Sequence, residues 1–212
     1  MKNKLLKLLF GLVAIITITS CSKSNDDDLN IPQNITIEVG EDYSLNINRE
    51  WSTNKDFVAT VDGSGKITGS HVGECDIVSG ENKCHVTVKP NYTLYREPYF
   101  DVNMSKEYVM SLYGDPYNVS SNGNIVMYET GQDSAPYIMY TFEDGMLKSS
   151  SIVVRKTYES SLKLHLRNRY AYFQYSDGLY QYVNAYKADE VTLFVMYGSY
   201  NSTYYLVMYS PR

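Results

Sequence analysis

From residue 34 to residue 89, apolar side chains recur at every second position between short turn signals, as half-buried strands require. Ile35, Ile37 and Val39 share one parity, and Tyr43, Leu45 and Ile47 repeat it after Gly40-Glu41-Asp42. Further strands are predicted at 58–61, 66–69, 75–78 and 83–88, with Asp62-Gly63-Ser64-Gly65 turning the chain. Short strands at this spacing predict an all-β sandwich. After residue 92 the period changes. Ser105 suits a helix N-cap, Met104 and Val109 a staple across it, and Gly114-Asp115-Pro116 a stop. Tyr108 with Leu112, and Val109 with Tyr113, mark that helix's apolar stripe. Strands follow at 125–129, 136–142 and 147–154, then a helix over 158–170 with Leu162, Leu166 and Tyr170 on one face. Strands at 180–186, 191–197 and 204–209 complete the chain. Helix and three strands, twice over, predict an α+β domain: an αβββ pseudo-repeat whose antiparallel sheet carries two helices on one face and leaves the other open.

Composition places the boundary between these regions. Of 22 tyrosines only Tyr43 precedes residue 91, and seven of the eight methionines, all but Met1, fall in the second region. The shift follows Lys89-Pro90-Asn91, so two domains are expected, 32–89 and 92–212, with a short linker. Without the three lysines of residues 1–20, 16 basic residues face 24 acidic ones. An acidic chain with no basic stripe is a poor partner for nucleic acid.

Residues 1–20 read as a signal segment. Lys2, Lys4 and Lys7 form a positive head, and 5–18 is almost wholly apolar yet short of the roughly 20 residues a membrane span needs. Its ending, Ile18-Thr19-Ser20-Cys21, resembles the bacterial lipobox. The resemblance implies that Cys21 becomes the lipidated first residue, carrying a diacylglyceryl group and an amide-linked acyl chain such as palmitate. More than one chain gives lasting attachment, at about 0.8 kcal/mol per buried methylene. The tract 21–31, with Asp26-Asp27-Asp28, is too polar to bury itself and is expected to be a disordered acidic tether. Its acids resemble the export signal of Bacteroidota surface lipoproteins, which implies the outer leaflet of the outer membrane. A periplasm-facing anchor is the alternative.

Trp51-Ser52-Thr53-Asn54-Lys55-Asp56, Val58-Ala59-Thr60-Val61-Asp62, Gly65-Lys66-Ile67-Thr68-Gly69 and Gly73-Glu74-Cys75-Asp76-Ile77 resemble the bacterial Ig-like domains of group 2 (BIG2). That family implies a small sandwich with the tryptophan in its core and a close-packed glycine before the penultimate strand. It occurs in adhesins and as a spacer, and brings no catalysis. Cys75 and Cys84 share inward parity. A turn at Ser79-Gly80 would set them opposite each other for a disulfide stabilising by about 2–3 kcal/mol; a turn at Glu81-Asn82 would break that register and leave two buried thiols. With His85 on the other face, no tetrahedral metal site is expected. In the second region, Leu112-Tyr113-Gly114-Asp115-Pro116 and Tyr140-Thr141-Phe142-Glu143-Asp144-Gly145-Met146-Leu147 resemble the small outer-membrane lipoproteins of the SmpA/OmlA kind and the β-lactamase-inhibitor-protein fold. This resemblance implies a protein-binding scaffold.

Catalysis leaves no signature here. His71, His85 and His165 are scattered, His165 reads as a surface or boundary residue, and no nucleophile elbow, phosphate loop or His-Glu-x-x-His occurs. No cofactor and no metal is expected. The tyrosines divide two ways: most fill a core, or some form a platform on the helix-free face for a protein or sugar. The expected molecule is a non-catalytic lipoprotein held at the membrane by its lipid, an Ig-like stalk presenting a tyrosine-rich domain that binds a protein or polysaccharide, as in adhesion. Glycan capture beside a nutrient importer and a periplasm-facing assembly partner are the alternatives.

Overall fold

The computed structural model describes residues 31–212; the expected signal segment, Cys21 and the expected tether up to Asn30 lie outside the described residues. The result is β-rich with two short helices. The first seven strands are β1 (Asn34–Glu38), β2 (Asp42–Ser44), β3 (Ser52–Thr53), β4 (Ala59–Val61), β5 (Lys66–Gly69), β6 (Gly73–Ser79) and β7 (Asn82–Lys89). They form two sheets, β1-β7-β6-β3 and β2-β5-β4. Pairing is antiparallel except between β1 and β7, which run parallel with Ile35 opposite Val86. Alternation sends Ile35, Ile37, Ile67, Ile77 and Val86 into one buried cluster fed by both sheets. Trp51 joins it, and its indole N–H donates to the Ile47 carbonyl at 2.9 Å, which satisfies the one polar atom of a buried ring. Gly73 has a packing reason: a Cβ there would lie 2.9 Å from Val58 Cγ2.

The β6–β7 turn is neither of the two expected. Ser79 pairs with Asn82, so Gly80-Glu81 is the two-residue turn, with Gly80 at φ 58. That register sets Cys75 opposite Val86 and Cys84 opposite Ile77, so the cysteines are diagonal rather than facing. Both are buried and free. Burial pushes both thiols up from their ordinary range.

The second region holds α1 (Lys106–Tyr113), β8 (Asn118–Val119), β9 (Ile125–Glu129), β10 (Tyr137–Glu143) and β11 (Met146–Arg155). Then come a 3-10 turn at Lys156–Tyr158, α2 (Glu159–Arg169), β12 (Ala171–Ser176), β13 (Leu179–Val183), β14 (Leu193–Ser199) and β15 (Tyr204–Pro211). The repeat is thus a helix with four strands, not three. The strands it adds are the two edges: β8 is two exposed residues, and β12 exposes four residues in a row, so neither shows the alternation that reveals a half-buried strand. One antiparallel sheet results, ordered β12-β13-β14-β15-β11-β10-β9-β8. Each half is a four-stranded meander, and the halves join through their last strands, with Ile152 opposite Val207.

Ser105 caps α1 by accepting from Tyr108 N–H at 3.2 Å, and Gly114 (φ 76) returns its N–H to the Met110 carbonyl. Only half of the expected stripe packs inward. Val109 is buried and Tyr113 stacks at 4.8 Å on Tyr128, whereas Tyr108 and Leu112 are exposed. On α2, Leu162, Leu166 and Tyr170 are buried; so is His165, which faces the core between them and not solvent.

The compositional boundary at 89–91 is not a gap, because Ile31–Arg212 forms one compact body. The C-terminal turn of α2 holds both sides. The Asn168 carbonyl accepts from Val72 N–H at 2.8 Å, and its side-chain oxygen from Asn91 N–H at 2.9 Å. Asn91 in turn donates to the Val39 carbonyl.

Candidate functional site

Strand parity sorts the tyrosines. Val126, Tyr128, Tyr140, Ile152, Val195, Tyr197, Val207 and Tyr209 point to the face that also buries Val109, Leu162 and Leu166, so both helices lie on that side. Tyr95 and Tyr170 join them. Their hydroxyls are mostly partnered: Tyr95 with Tyr209 at 2.9 Å, Tyr113 with Tyr140 at 2.6 Å, and Tyr170 with Glu97 at 2.7 Å. Burial raises these phenols far above their usual range. The helix-free face is therefore not a tyrosine platform. It carries Met127, Met139, Met196 and Met208, with Leu179, Phe194, Leu206, Tyr137 and Tyr204, all half-buried. Three exposed aromatic rings, Tyr172, Phe173 and Tyr175, each at least half exposed, line the edge strand β12, while Tyr117 packs on Tyr137 and Tyr200 borders the methionine side.

A concavity lies where the two regions meet. It encloses about 760 Å³. One wall comes from the first region, with Lys55, Asp56, Phe57, Val58 and Glu74; the other from the second, with Glu97, Phe100, Arg169, Tyr170 and Lys187. Beside it Phe57 stacks on His71 at 4.1 Å, and Tyr186 closes on both rings at 5.1 and 5.7 Å. This size and position suit a ligand cleft.

Glu97 is the chemical centre of the cleft. Its Oε1 accepts from the Tyr170 hydroxyl at 2.7 Å and the Tyr209 hydroxyl at 3.3 Å. Its Oε2 has Arg169 Nε at 3.7 Å. Burial raises the Glu97 carboxyl above the usual carboxylate range, with the hydrogen bonds and Arg169 pulling the other way. His165 lies behind it. Leu94 N–H donates to His165 Nδ1 at 3.2 Å, so the proton sits on Nε2, which has no hydrogen-bond partner and lies 4.0 Å from Glu97 Oε1. Burial, and then Arg169, push the imidazole down to about 3, so it stays neutral at ordinary pH. Arg169 is committed to structure, donating to the carbonyls of Tyr92 and His165 and to Thr93 Oγ1.

Of the residues singled out in the sequence, Cys21 lies outside the described residues, and Cys75 and Cys84 sit in the first core, away from this cleft. Glu97 was missed because a single glutamate in Arg96-Glu97-Pro98 carries no local signature. His165 was misplaced because its neighbours in sequence, Lys163 and Arg167, suggest solvent. Among the described residues no group of three or more His, Cys, Asp or Glu could hold a metal ion, and no helix is long and apolar enough to cross a membrane. Comparison with known proteins finds no family whose pattern matches this chain and no curated protein that matches it.

Proposed function

We propose that this chain is a lipid-anchored binding protein of a bacterial outer envelope. In it an Ig-like sandwich and a tyrosine-rich α+β domain together grip a short stretch of polysaccharide. The observation that carries this reading is the cleft of about 760 Å³ walled by both regions. A stalk would leave the second region to bind alone; here the first region supplies half the wall. Half-buried Phe57 and Phe100 line the cleft and supply apolar surface of the kind that packs against the C–H faces of sugars. The Lys55 ammonium, the Asp56 carboxylate and Glu97 Oε2 add polar groups suited to hydroxyls. The clamp through Asn168 and Asn91 holds the walls in place before a ligand arrives, which lowers the ordering cost of binding.

The test uses the full chain against a panel of bacterial and host polysaccharides, followed by calorimetry with oligosaccharides of any that bind. Lys55→Ala and Phe100→Ala are expected to weaken binding at least ten-fold while leaving the unfolding midpoint of the first region unchanged. Retention of full affinity in both variants, or no binding across the panel, would overturn the reading. For the anchor, Cys21→Ser is expected to move the protein from the membrane to the soluble fraction. External protease on whole cells is expected to degrade the native chain.

A further inference from the structure

Cross-strand register places one residue from each strand in a single row over the helix-free face. The row runs Asn118, Met127, Met139, Ser151, Met208, Met196, Gln181, Gln174. Beside it a second row runs from Glu129 through Tyr137, Val153, Leu206 and Gly198 to Leu179. On the other side Thr141 and Ser149, then Ser210 and Phe194, belong to a third. Glu129, at one end, is the only charged side chain among them. Both helices pack on the opposite side of the sheet, so neither covers these rows. Seven strand spacings by three rows make a face of roughly 34 Å by 20 Å. Contiguous apolar faces of several hundred Å² are rare on monomers and mark interaction sites.

We propose that a second copy of this chain covers this face, the two sheets packing face to face about a two-fold axis along the β11–β15 seam. Two such faces pressed together bury on the order of 1,300 Å², within the range of specific, stable interfaces. The seam lies at the middle of the eight strands, so the axis lays each strand of one half on its counterpart from the other half of the second copy. The face then complements itself. Met208 lies over Ser151 of the second copy, so a long, adaptable side chain meets the one short side chain between the methionines. Met139 meets Met196, and the polar ends of the row meet as Asn118 against Gln174. In the neighbouring row Tyr137 faces Gly198 of the second copy. Gly198 borders a hollow of about 150 Å³, together with Leu179, Met196, Tyr200, Leu206 and Met208. An apolar space of about that volume accepts an aromatic ring. Tyr117 packs on the Tyr137 ring at 5.2 Å and holds it in place. An axis across the strands would instead set Met208 on Met208 and Met196 on Met196, bulk against bulk. This surface is independent of the polysaccharide reading, which concerns the cleft between the two regions.

The experiment uses the full mature chain carrying Cys21→Ser, which keeps lipid out of the measurement. Sedimentation equilibrium is expected to show monomer and dimer exchanging in the micromolar range. Met208→Glu puts an unpaired carboxylate beside the seam on both copies and is expected to weaken the dimer at least ten-fold. Tyr108→Glu, on an exposed position of α1, is expected to leave it unchanged. A cross-link tests the arrangement itself. Met139 and Met196 of one chain stand three strand spacings apart, about 14 Å, too far for a disulfide within that chain. Met139→Cys/Met196→Cys is therefore expected to give a covalent dimer on oxidation, whereas neither single variant gives one. Cys75 and Cys84 are buried and common to every variant, so they do not distinguish them. A chain that stays monomeric up to about 0.1 mM would overturn the proposal and leave the face to another protein or to solvent. So would a dimer that Met208→Glu does not weaken, a covalent dimer from either single variant, or none from the double one. Should Met208→Glu fail to fold, the cross-link decides alone.

Discussion

On the helix side of the eight-stranded sheet most of the buried large side chains are tyrosines; the open side carries the row of methionines among Leu, Phe and two tyrosines, and strand parity alone separates the two sets. The difference follows from what each side chain needs when covered. A buried phenol brings a hydroxyl that gains from a partner, and the helix side supplies one to most of them, in Glu97, the Tyr95–Tyr209 pair and the Tyr113–Tyr140 pair, leaving Tyr128 and Tyr197 without. A thioether asks for none, and it adapts to whatever lies against it. The side with a fixed second layer thus holds the residues that demand fixed partners. The side without one holds residues that tolerate solvent, a ligand or a neighbour.

That contrast breaks most visibly under truncation. Leu166 is fully buried against the helix side, and Leu166→Ala is expected to cost about 3 kcal/mol in urea unfolding. Met196→Ala on the open side is expected to cost less than about 1 kcal/mol. Equal losses would mean that both faces are core.

Acid sharpens the contrast, since only the helix side buries a titrating polar network. His165 is held near 3 when folded and returns to about 6.5 when unfolded, so the unfolded chain binds its proton first. Its contribution is complete above pH 6.5 and is lost as pH falls toward 3, about 2.5 kcal/mol of it by pH 4.5. Glu97 works in the opposite sense: its folded value is raised, so acidification down to about 4.5 relieves the cost of its buried charge. The expected net result is a fall between pH 6.5 and 4.5 smaller than the His165 contribution alone would give. In His165→Asn the slope over that window should flatten or reverse, and an unchanged slope would refute the assignment.

Two phenylalanine substitutions separate partnered from unpartnered hydroxyls. Tyr170→Phe removes the donor 2.7 Å from the Glu97 carboxylate and is expected to cost about 2 kcal/mol. Tyr197 is also buried, but its hydroxyl has no partner, so Tyr197→Phe is expected to fall within about 0.5 kcal/mol of neutral or to stabilise. Unfolding midpoints of the pair measured side by side give the comparison. If Tyr197→Phe cost as much as Tyr170→Phe, the hydroxyl network would not be what distinguishes the helix side.

Much of the local structure was legible because it is written in single residues. Ser105 and Gly114 capped α1 where their chemistry requires, and alternation located most of the strands that have one wet and one dry face. The edges β8 and β12 escaped, since an edge strand exposed on both faces leaves no alternation to read. The β6–β7 register was ambiguous because Ser79, Gly80, Glu81 and Asn82 are all acceptable turn residues. One step of slip moved Cys75 and Cys84 from facing to diagonal.

The sequence by itself determined where most strands and the α1 caps form, which residues of 34–89 turn inward, and that tyrosine and methionine are concentrated in the second region. It could not choose between the two faces of the large sheet, because both parities there are apolar and only the docking of α1 and α2 distinguishes them. The tertiary structure made that choice, and with it buried His165, placed Glu97 between the regions and drew four methionines into one row. These outcomes depend on contacts between residues up to a hundred or more positions apart, such as Tyr95 with Tyr209, and no local pattern of polarity encodes them.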